Sequence, residues 1–215
     1  MKFTKMTYDV YQNAYQLDHG DLELIAIADV GPRVLCLRRK GGPNLLFEDK
    51  LNKYTRKDWR LYGGHRFWVG PETEHAFTPE NSPCRAFIEQ DCLSIEQPAD
   101  AMGLQRTLII KPHEQEDAFI LRHVVRNVGR VLFTGTIWTL SCLLPHRVLI
   151  PWGAGSDKWQ GNMVRYWTYW DGHHTDPASS LWEPHKDYFL VHAGSQEEGK
   201  IGLYSERGFL ALLRG

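Results

Sequence analysis

Hydrophobic positions in this chain fall into short runs, and several of these runs alternate apolar with polar side chains. Gly, Pro, Asn and Asp residues separate the runs, as they do between β-strands. A sustained 3.6-residue period with helix caps is missing. The pattern therefore predicts strands at Leu22–Ala28, Arg33–Arg39, Leu45–Phe47, Arg85–Glu96, Gly103–Lys111, Ala118–Asn127, Val131–Leu144, Met163–Trp170, Asp187–Ala193, Lys200–Ser205 and Phe209–Leu213.

The spacing of these strands predicts an all-β fold, either a sandwich or a barrel. No internal repeat, low-complexity segment or linker divides the chain, so we expect one domain over residues 1–215. The irregular stretch 48–84 is too long for a simple connection. Long segments of this kind in compact domains tend to carry function.

Charge and composition narrow the function classes. The formal net charge is −1, and basic residues are scattered rather than clustered. This pattern argues against a nucleic-acid or anionic-membrane surface. The first nine residues lack the apolar core of a signal peptide, and no apolar run is long enough to span a membrane. We therefore expect a cytoplasmic protein.

The four cysteines, Cys36, Cys84, Cys92 and Cys142, form no Cys-x-x-Cys motif. Reduced, structural thiols are the expected state in the cytoplasm. A Cys84–Cys92 disulfide is the alternative that the spacing allows. Eight Trp, nine Tyr, nine Phe and ten His residues suggest, besides an aromatic core, a pocket that stacks flat ligands or sugar faces.

The segment Tyr62–His75 reads YGGHRFWVGPETEH and holds the densest set of functional side chains. Its paired glycines allow a close approach of the backbone to a ligand. The other members supply an imidazole, a guanidinium, a stacking ring and carboxylates: His65, Arg66, Trp68, Glu72, Glu74 and His75. The segment is predicted to be a ligand-binding loop. The alternative is a turn with its charges in water and Phe67 and Trp68 packed inward.

Histidines offer several further hypotheses. An ion bound by His65, Glu72 and His75 would have suitable ligand types, but the spacing matches no common motif, so no metal or cofactor is expected. His146 follows a strand end and is placed for a pocket rim, with a structural role as the alternative. His173-His174 reads as a solvated turn, and His123 as a hydrogen-bonded histidine facing the core.

Motifs for other chemistries are missing from the sequence. There is no Gly-x-Ser-x-Gly nucleophile elbow, and no cysteine has a histidine close by. Neither a P-loop nor a Gly-x-Gly-x-x-Gly phosphate-binding motif occurs. These classes are therefore not predicted.

The order of the motifs resembles a known family. Gly63–Glu72 is similar to the GGH-x-x-W-x-x-P-E signature of uncharacterised proteins related to galactose mutarotase (aldose 1-epimerase). The similarity runs over most of the chain from about residue 22. It continues, in the family's order, at Arg126–Gly129, Gly135–Leu140, Pro151, Trp167–Asp171, Lys200–Gly202 and Gly208–Ala211.

The resemblance implies a β-supersandwich with a carbohydrate pocket on the concave face of its large sheet. In mutarotases a histidine protonates the sugar ring oxygen while a glutamate removes the anomeric proton. The family's central-strand histidine falls near Trp138-Thr139 here, and the strands that carry its base glutamate would begin about where this chain ends. The resemblance thus implies a shortened member, in which Glu72 is the positional candidate for the base.

Three function hypotheses follow. The first is a mutarotase-like isomerase of a sugar or sugar derivative, with His65 as acid and Glu72 as base. The second is a non-catalytic carbohydrate-binding protein. The third is a cupin-like metal enzyme. In the first two, the groups expected at the sugar are Arg66, Trp68, His75, Trp138, His146 and Trp170. The expected partner is a small carbohydrate, and exposed strand edges of a shortened sandwich favour a homodimer.

Overall fold

The computed structural model describes residues 2–56, 59–70, 81–144, 146–152, 162–169, 173–194 and 197–213. These residues form strands and turns and no helix, which confirms the all-β prediction, and accordingly they include no helix long and apolar enough to cross a membrane. The strands are β1 (Lys2–Tyr8), β2 (Tyr11–His19), β3 (Leu22–Ile27), β4 (Arg33–Arg39), β5 (Thr55–Arg56), β6 (Trp59–Arg60), β7 (His65–Gly70), β8 (Arg85–Glu89), β9 (Cys92–Glu96), β10 (Leu104–Pro112), β11 (Phe119–Asn127), β12 (Thr136–Ser141), β13 (Arg147–Pro151), β14 (Val164–Tyr166), β15 (Trp182–Pro184), β16 (Tyr188–His192), β17 (Ile201–Leu203) and β18 (Ala211–Leu213).

The chain divides into two compact units, Met1–Leu144 and Pro145–Gly215. The first unit contains a six-stranded sheet in the order β1-β2-β3-β4-β7-β12 and a four-stranded sheet in the order β11-β10-β9-β8. The pairings within both sheets are antiparallel. A single domain over 1–215 stays a prediction.

The two sheets of the first unit pack face to face around one apolar core. Leu17, Leu24 and Phe67 of the larger sheet share a buried cluster with Leu93 and Leu108 of the smaller sheet. On β10, every second residue from Leu104 to Ile110 is buried, as expected for a strand with one face on a core. The first unit is therefore a two-layer antiparallel sandwich.

The larger sheet is covered on its other face as well. Ile25, Ile27, Leu35 and Cys36 form a second buried cluster, against which Tyr11 and neighbouring side chains pack. Because adjacent residues of a strand point to opposite faces, β3 and β4 bury nearly continuous apolar runs. This explains why β3 lacks a clean alternation in the sequence.

The second unit contains a four-stranded sheet in the order β15-β16-β13-β18 and a two-stranded sheet of β14 and β17. Phe189 on β16 is fully buried and makes ring contacts with Trp152 and Trp182. The indole N–H of Trp152 donates to the His185 carbonyl at 2.6 Å. Aromatic packing thus forms the core of this smaller unit.

Several strand predictions need correction. Residues 2–19 form β1 and β2, which the pattern missed because β1 is a polar edge strand with an irregular register after Met6. Arg85–Glu96 is a hairpin of two strands, whose turn residues Gln90 and Asp91 have positive φ. Of the strand predicted at Val131–Leu144, only Thr136–Ser141 is a strand.

The predicted ligand-binding loop also differs. Its residues 65–70 form β7, a strand inside the larger sheet, between β4 and β12. None of the four cysteines, all of which are among the described residues, is assigned to a disulfide, so Cys84 and Cys92 are not bridged.

Candidate functional site

Strand β7 distributes the predicted functional residues over two faces of the larger sheet. His65 and Phe67 point toward the smaller sheet, where both rings contact His123, and the residue between them, Arg66, points to the other face because side chains alternate along a strand. The pairing with β12 places Ser141 directly opposite His65. The segment therefore does not form one continuous wall.

The paired glycines before β7 are required by close backbone packing. Gly63 and Gly64 have φ of +89° and +72°. A Cβ atom on Gly63 would lie 2.1 Å from the Phe47 carbonyl oxygen, and one on Gly64 would lie 2.1 Å from the Val34 carbonyl oxygen. Only glycine combines this conformation with this proximity. The backbone conformation of Gly63 and Gly64 therefore sets the positions of the flanking residues, Tyr62 and His65.

His65 lies at the centre of a hydrogen-bonded chain that joins the two sheets. Its Nδ1 is 2.7 Å from the Ser141 hydroxyl oxygen on β12. Its Nε2 is 2.9 Å from Nε2 of His123 on β11. Residues 65, 123 and 141 are called the Ser–His–His chain below. The prediction that His123 is hydrogen-bonded and faces the core is confirmed.

Both histidines of this chain favour the neutral state. Burial, together with the nearby His123 and Arg33, lowers the pKa of His65 from 6.5 to about 4. Burial also lowers the pKa of His123. At neutral pH His65 is therefore an uncharged imidazole, which accepts a proton rather than donating one from an imidazolium. The acid role of His65 stays a prediction.

The Ser–His–His chain opens into a cavity of about 340 Å³, called the histidine cavity below. Its polar lining comes from His65, Asp117 and Ser141. The remaining lining residues are apolar: Leu22, Leu24, Val34, Leu37, Leu46, Ala118, Phe119 and Leu121. Few hydrogen-bonding groups thus face a ligand there.

Trp68 lies inside the protein and presents no face to a ligand in this structure. The side chain is 1% exposed. The guanidinium groups of Arg66 and Arg106 each lie 5.4 Å from its ring, and Trp138 packs beside it. Arg66 itself is only 8% exposed. This cluster forms part of the core, and a role of Arg66, Trp68 and Trp138 at a sugar stays a prediction.

A buried ion pair supports the Trp68 cluster. Nη2 of Arg106 lies 2.6 Å from Oδ2 of Asp100, and both side chains are almost fully buried. The other Asp100 oxygen accepts the backbone N–H groups of Met102 and Leu104. These hydrogen bonds satisfy the carboxylate, which is a condition for burying a charge.

A second, polar pocket of about 220 Å³ lies on the other face of the larger sheet and is called the tyrosine pocket below. Its lining residues combine two phenol rings with cationic, amide and carboxylate groups: Asp9, Val10, Tyr11, Glu48, Asp49, Lys50, Asn52, Arg60 and Tyr62. Its location follows from Tyr11, which packs on the second buried cluster. Tyr62, the first residue of the predicted segment, thus belongs to this pocket.

The ring of Tyr62 is held between charged neighbours. The Arg60 guanidinium lies 4.4 Å from the ring centre and that of Arg33 lies 5.0 Å from it. Tyr62 has φ of 54°, a conformation that a non-glycine residue adopts at a cost. Nε of Arg60 is buried with no hydrogen-bond partner among the described residues. The pocket is therefore lined by an aromatic ring with the Arg60 guanidinium beside it.

Glu48 sits at the end of the tyrosine pocket in a preset network. Its Oε1 accepts the Tyr8 hydroxyl at 2.8 Å and the Asn44 amide at 3.0 Å. Burial and the neighbouring Glu48 raise the pKa of Tyr8, so its phenol stays protonated. Burial likewise raises the pKa of Tyr11. Neutral phenols and an oriented carboxylate offer both donors and acceptors to hydroxyl groups.

The other predicted residues lie elsewhere. His146 belongs to the second unit, where its Nε2 is buried without a hydrogen-bond partner among the described residues. Glu72, His75 and Trp170 lie outside the described residues, so their roles stay predictions. Within the described ranges no group of three or more His, Cys, Asp or Glu is arranged to hold a metal. The metal hypothesis depends on Glu72 and His75 and is therefore untested.

Sequence reasoning missed most of the groups that the structure brings together. Ser141, Asp117, Tyr11 and Glu48 carried no motif. For Ser141 the available signal was the antiparallel pairing of its strand with the segment after Gly64, which sets it opposite His65. Tyr62 was marked by the two glycines that follow it.

Comparison of the chain with protein-family models, with curated proteins and with solved structures finds no match.

Proposed function

We propose that this protein binds a carbohydrate, and that the sugar occupies the tyrosine pocket. One observation carries the proposal: two phenol rings and several hydrogen-bond donors and acceptors line the same small pocket. Sugars have apolar C–H faces and polar edges, so they suit sites where aromatic rings alternate with hydrogen-bonding groups. The histidine cavity, by contrast, has mostly aliphatic walls.

The size and charge of the pocket point to a monosaccharide. Ligand pockets for drug-sized molecules occupy roughly 300–1,000 Å³, and this pocket is smaller, at about 220 Å³. Lys50 and Arg60 face Asp9 and Glu48 across it, so donors and acceptors for hydroxyl groups are both present. A neutral hexose or pentose matches this mixture better than a strongly charged ligand.

The proposed fold is the galactose-mutarotase-like β-supersandwich. Its support is the order of motifs along the chain together with the all-β architecture and the antiparallel sandwich of the first unit. Of the sugar hypotheses, the geometry favours binding over isomerisation at His65. A histidine with a pKa near 4 holds almost no transferable proton at neutral pH.

Isothermal titration calorimetry with a panel of aldoses and ketoses tests the proposal. Tyr62→Gly removes the ring and suits the positive φ, while Arg60→Met removes the guanidinium group from the pocket lining. We expect each to weaken binding about tenfold, which is about 1.4 kcal/mol. Tyr204→Ala, which removes a 75% exposed ring in the second unit, is the matched control and should leave affinity unchanged.

Two results would contradict the proposal: no sugar of the panel binding at millimolar concentration, or equal affinity in the wild type and Tyr62→Gly. An NMR measurement of anomer equilibration on the same samples separates binding from isomerisation. Equilibration faster than in buffer, abolished by His65→Gln, would restore the isomerase hypothesis.

A further inference from the structure

We propose that Ser141 is a nucleophile activated by His65, with His123 as a positioning residue, and that the site acts on esters of aliphatic acyl groups bound in the histidine cavity. This activity goes beyond the proposed carbohydrate binding and does not depend on it. The two sites lie on opposite faces of the larger sheet, so each can be tested alone.

The first argument is the geometry of the Ser–His–His chain. A serine nucleophile and its base are expected within about 2.6–3.2 Å, with a third group orienting the base. The Ser141 hydroxyl oxygen is 2.7 Å from Nδ1 of His65, and Nε2 of His65 is 2.9 Å from that of His123. All three members of such a relay are thus present.

The second argument is the protonation state. A neutral His65 that donates from Nε2 to His123 has an unprotonated Nδ1, which is the atom facing Ser141. The groups facing His65 favour the neutral form: Arg33 on β4 and the half-buried His123 on β11 both lower its pKa. Asp117, just before β11, is the carboxylate among the residues that line the same cavity.

The third argument is access to substrate. Ser141 is exposed and, with His65, lines the histidine cavity. The other walls include Leu24, Leu37 and Leu121. An aliphatic acyl chain would bury apolar surface against these leucines, at about 0.8 kcal/mol per methylene. The substrate class is therefore an ester with a short aliphatic acyl group.

The reaction balances with water as the only co-reactant. The Ser141 oxygen attacks the ester carbonyl carbon while its proton moves to Nδ1 of His65. The tetrahedral intermediate collapses, the carbon–alkoxy bond breaks, and the alcohol leaves with the proton from His65. Water then attacks the acyl-Ser141 ester by the same route, releasing the carboxylic acid and restoring the Ser141 hydroxyl.

Slow turnover is expected. The backbone N–H of Cys142, next to the nucleophile, already donates to the Gly64 carbonyl at 2.9 Å, so it is not free to stabilise an oxyanion. Loss of one such donor costs roughly 100–1,000-fold in kcat in hydrolases. Because acylation and deacylation both pass through an oxyanion, both steps are slow, and the measurable event is covalent modification of Ser141 rather than rapid hydrolysis.

The test uses the full chain with an alkyl fluorophosphonate and with p-nitrophenyl butyrate. We expect stoichiometric phosphonylation of Ser141, located by peptide mass spectrometry, and a nitrophenol burst of about one equivalent. Ser141→Ala should lose both. Thr136→Ala, which removes a hydroxyl at the other end of β12, is the matched control and should keep both. Far-UV circular dichroism verifies that each variant is folded.

The role of His123 is tested by rescue. His123→Leu cannot accept the His65 proton donor and should slow labelling at least tenfold, whereas His123→Gln offers an amide oxygen and should recover most of the rate. The wild-type labelling rate should rise with pH through a midpoint near 4, the pKa of His65, rather than near 6.5.

Three outcomes would overturn the proposal: no label on Ser141, equal labelling in Ser141→Ala, or equal rates in both His123 variants. The last result would leave the Ser–His–His chain as a structural link between the two sheets.

Discussion

The buried, neutral His65 makes the stability of the first unit depend on pH, and His65→Gln is the perturbation that isolates this dependence. In the unfolded chain the imidazole titrates near 6.5, whereas in the folded protein its pKa is about 4. Between these values the unfolded state binds the proton and the folded state does not. The contribution of neutral His65 to the free energy of unfolding is therefore fully present above pH 6.5 and is lost as the pH falls toward 4.

The magnitude follows from the two pKa values. Each pH unit between them is worth about 1.4 kcal/mol, so protonation at His65 costs the folded state about 3 kcal/mol over the full interval. Lowering the pH from 7 to 5 covers only part of the interval between the two pKa values. Since His65 also lines an open cavity, we expect a loss of about 1–2 kcal/mol in the free energy of unfolding.

Urea unfolding at pH 7 and pH 5, followed by circular dichroism and tryptophan fluorescence, measures this loss. His65→Gln keeps a hydrogen-bonding side chain but does not titrate, so its loss between the two pH values should be smaller by about 1–2 kcal/mol. His174→Gln, which replaces an exposed histidine of the second unit, should behave as the wild type. A His65 NMR titration near pH 6.5, or equal losses in wild type and His65→Gln, would refute the reasoning.

Three further predictions concern stability, each measured by urea unfolding at pH 7. Asp100→Leu leaves the fully buried Arg106 without its carboxylate and should lower the free energy of unfolding by about 3–5 kcal/mol. The double variant with Asp100→Leu and Arg106→Met should recover most of this loss, and an equal loss in the single and double variants would contradict the prediction. Gly64→Ala should cost about 3 kcal/mol, whereas Gly41→Ala, with a similar φ but open space, should cost about 1 kcal/mol. Replacing Gln90-Asp91, both at positive φ, with Asn-Gly should stabilise the hairpin by about 0.5–1 kcal/mol, and no gain would argue against that turn geometry.

The fold class was readable from the sequence, because short apolar runs with turn residues between them admit few other architectures. Strand bounds were readable where one apolar run matched one strand, as at Arg33–Arg39. They failed where a turn lacked its usual residues. Gln90-Asp91 turns a hairpin without Gly or Asn, so the pattern joined β8 and β9.

The candidate sites could be predicted from the sequence much less well than the fold class, because their residues are distant from one another in the sequence. His123 lies 58 residues from His65, and Ser141 lies 76 residues from it. Strand register and the packing of two sheets bring them together, and local patterns carry neither property. The same holds for Tyr11 and Tyr62, which approach one another through sheet order.

The segment with the densest chemistry shows why residue types alone mislead. A loop would let His65, Arg66 and Trp68 converge on one ligand, but a strand sends neighbours to opposite faces. Once residues 65–70 are a strand, the imidazole must find its partners among side chains opposite it, and the β12 register makes Ser141 one of them. The two proposals assign sugar binding to Tyr62, the residue before the glycines, and proton transfer to His65, the residue after them. The two glycines thus separate two kinds of chemistry, and substitutions at Tyr62 and at His65 should affect different ligands.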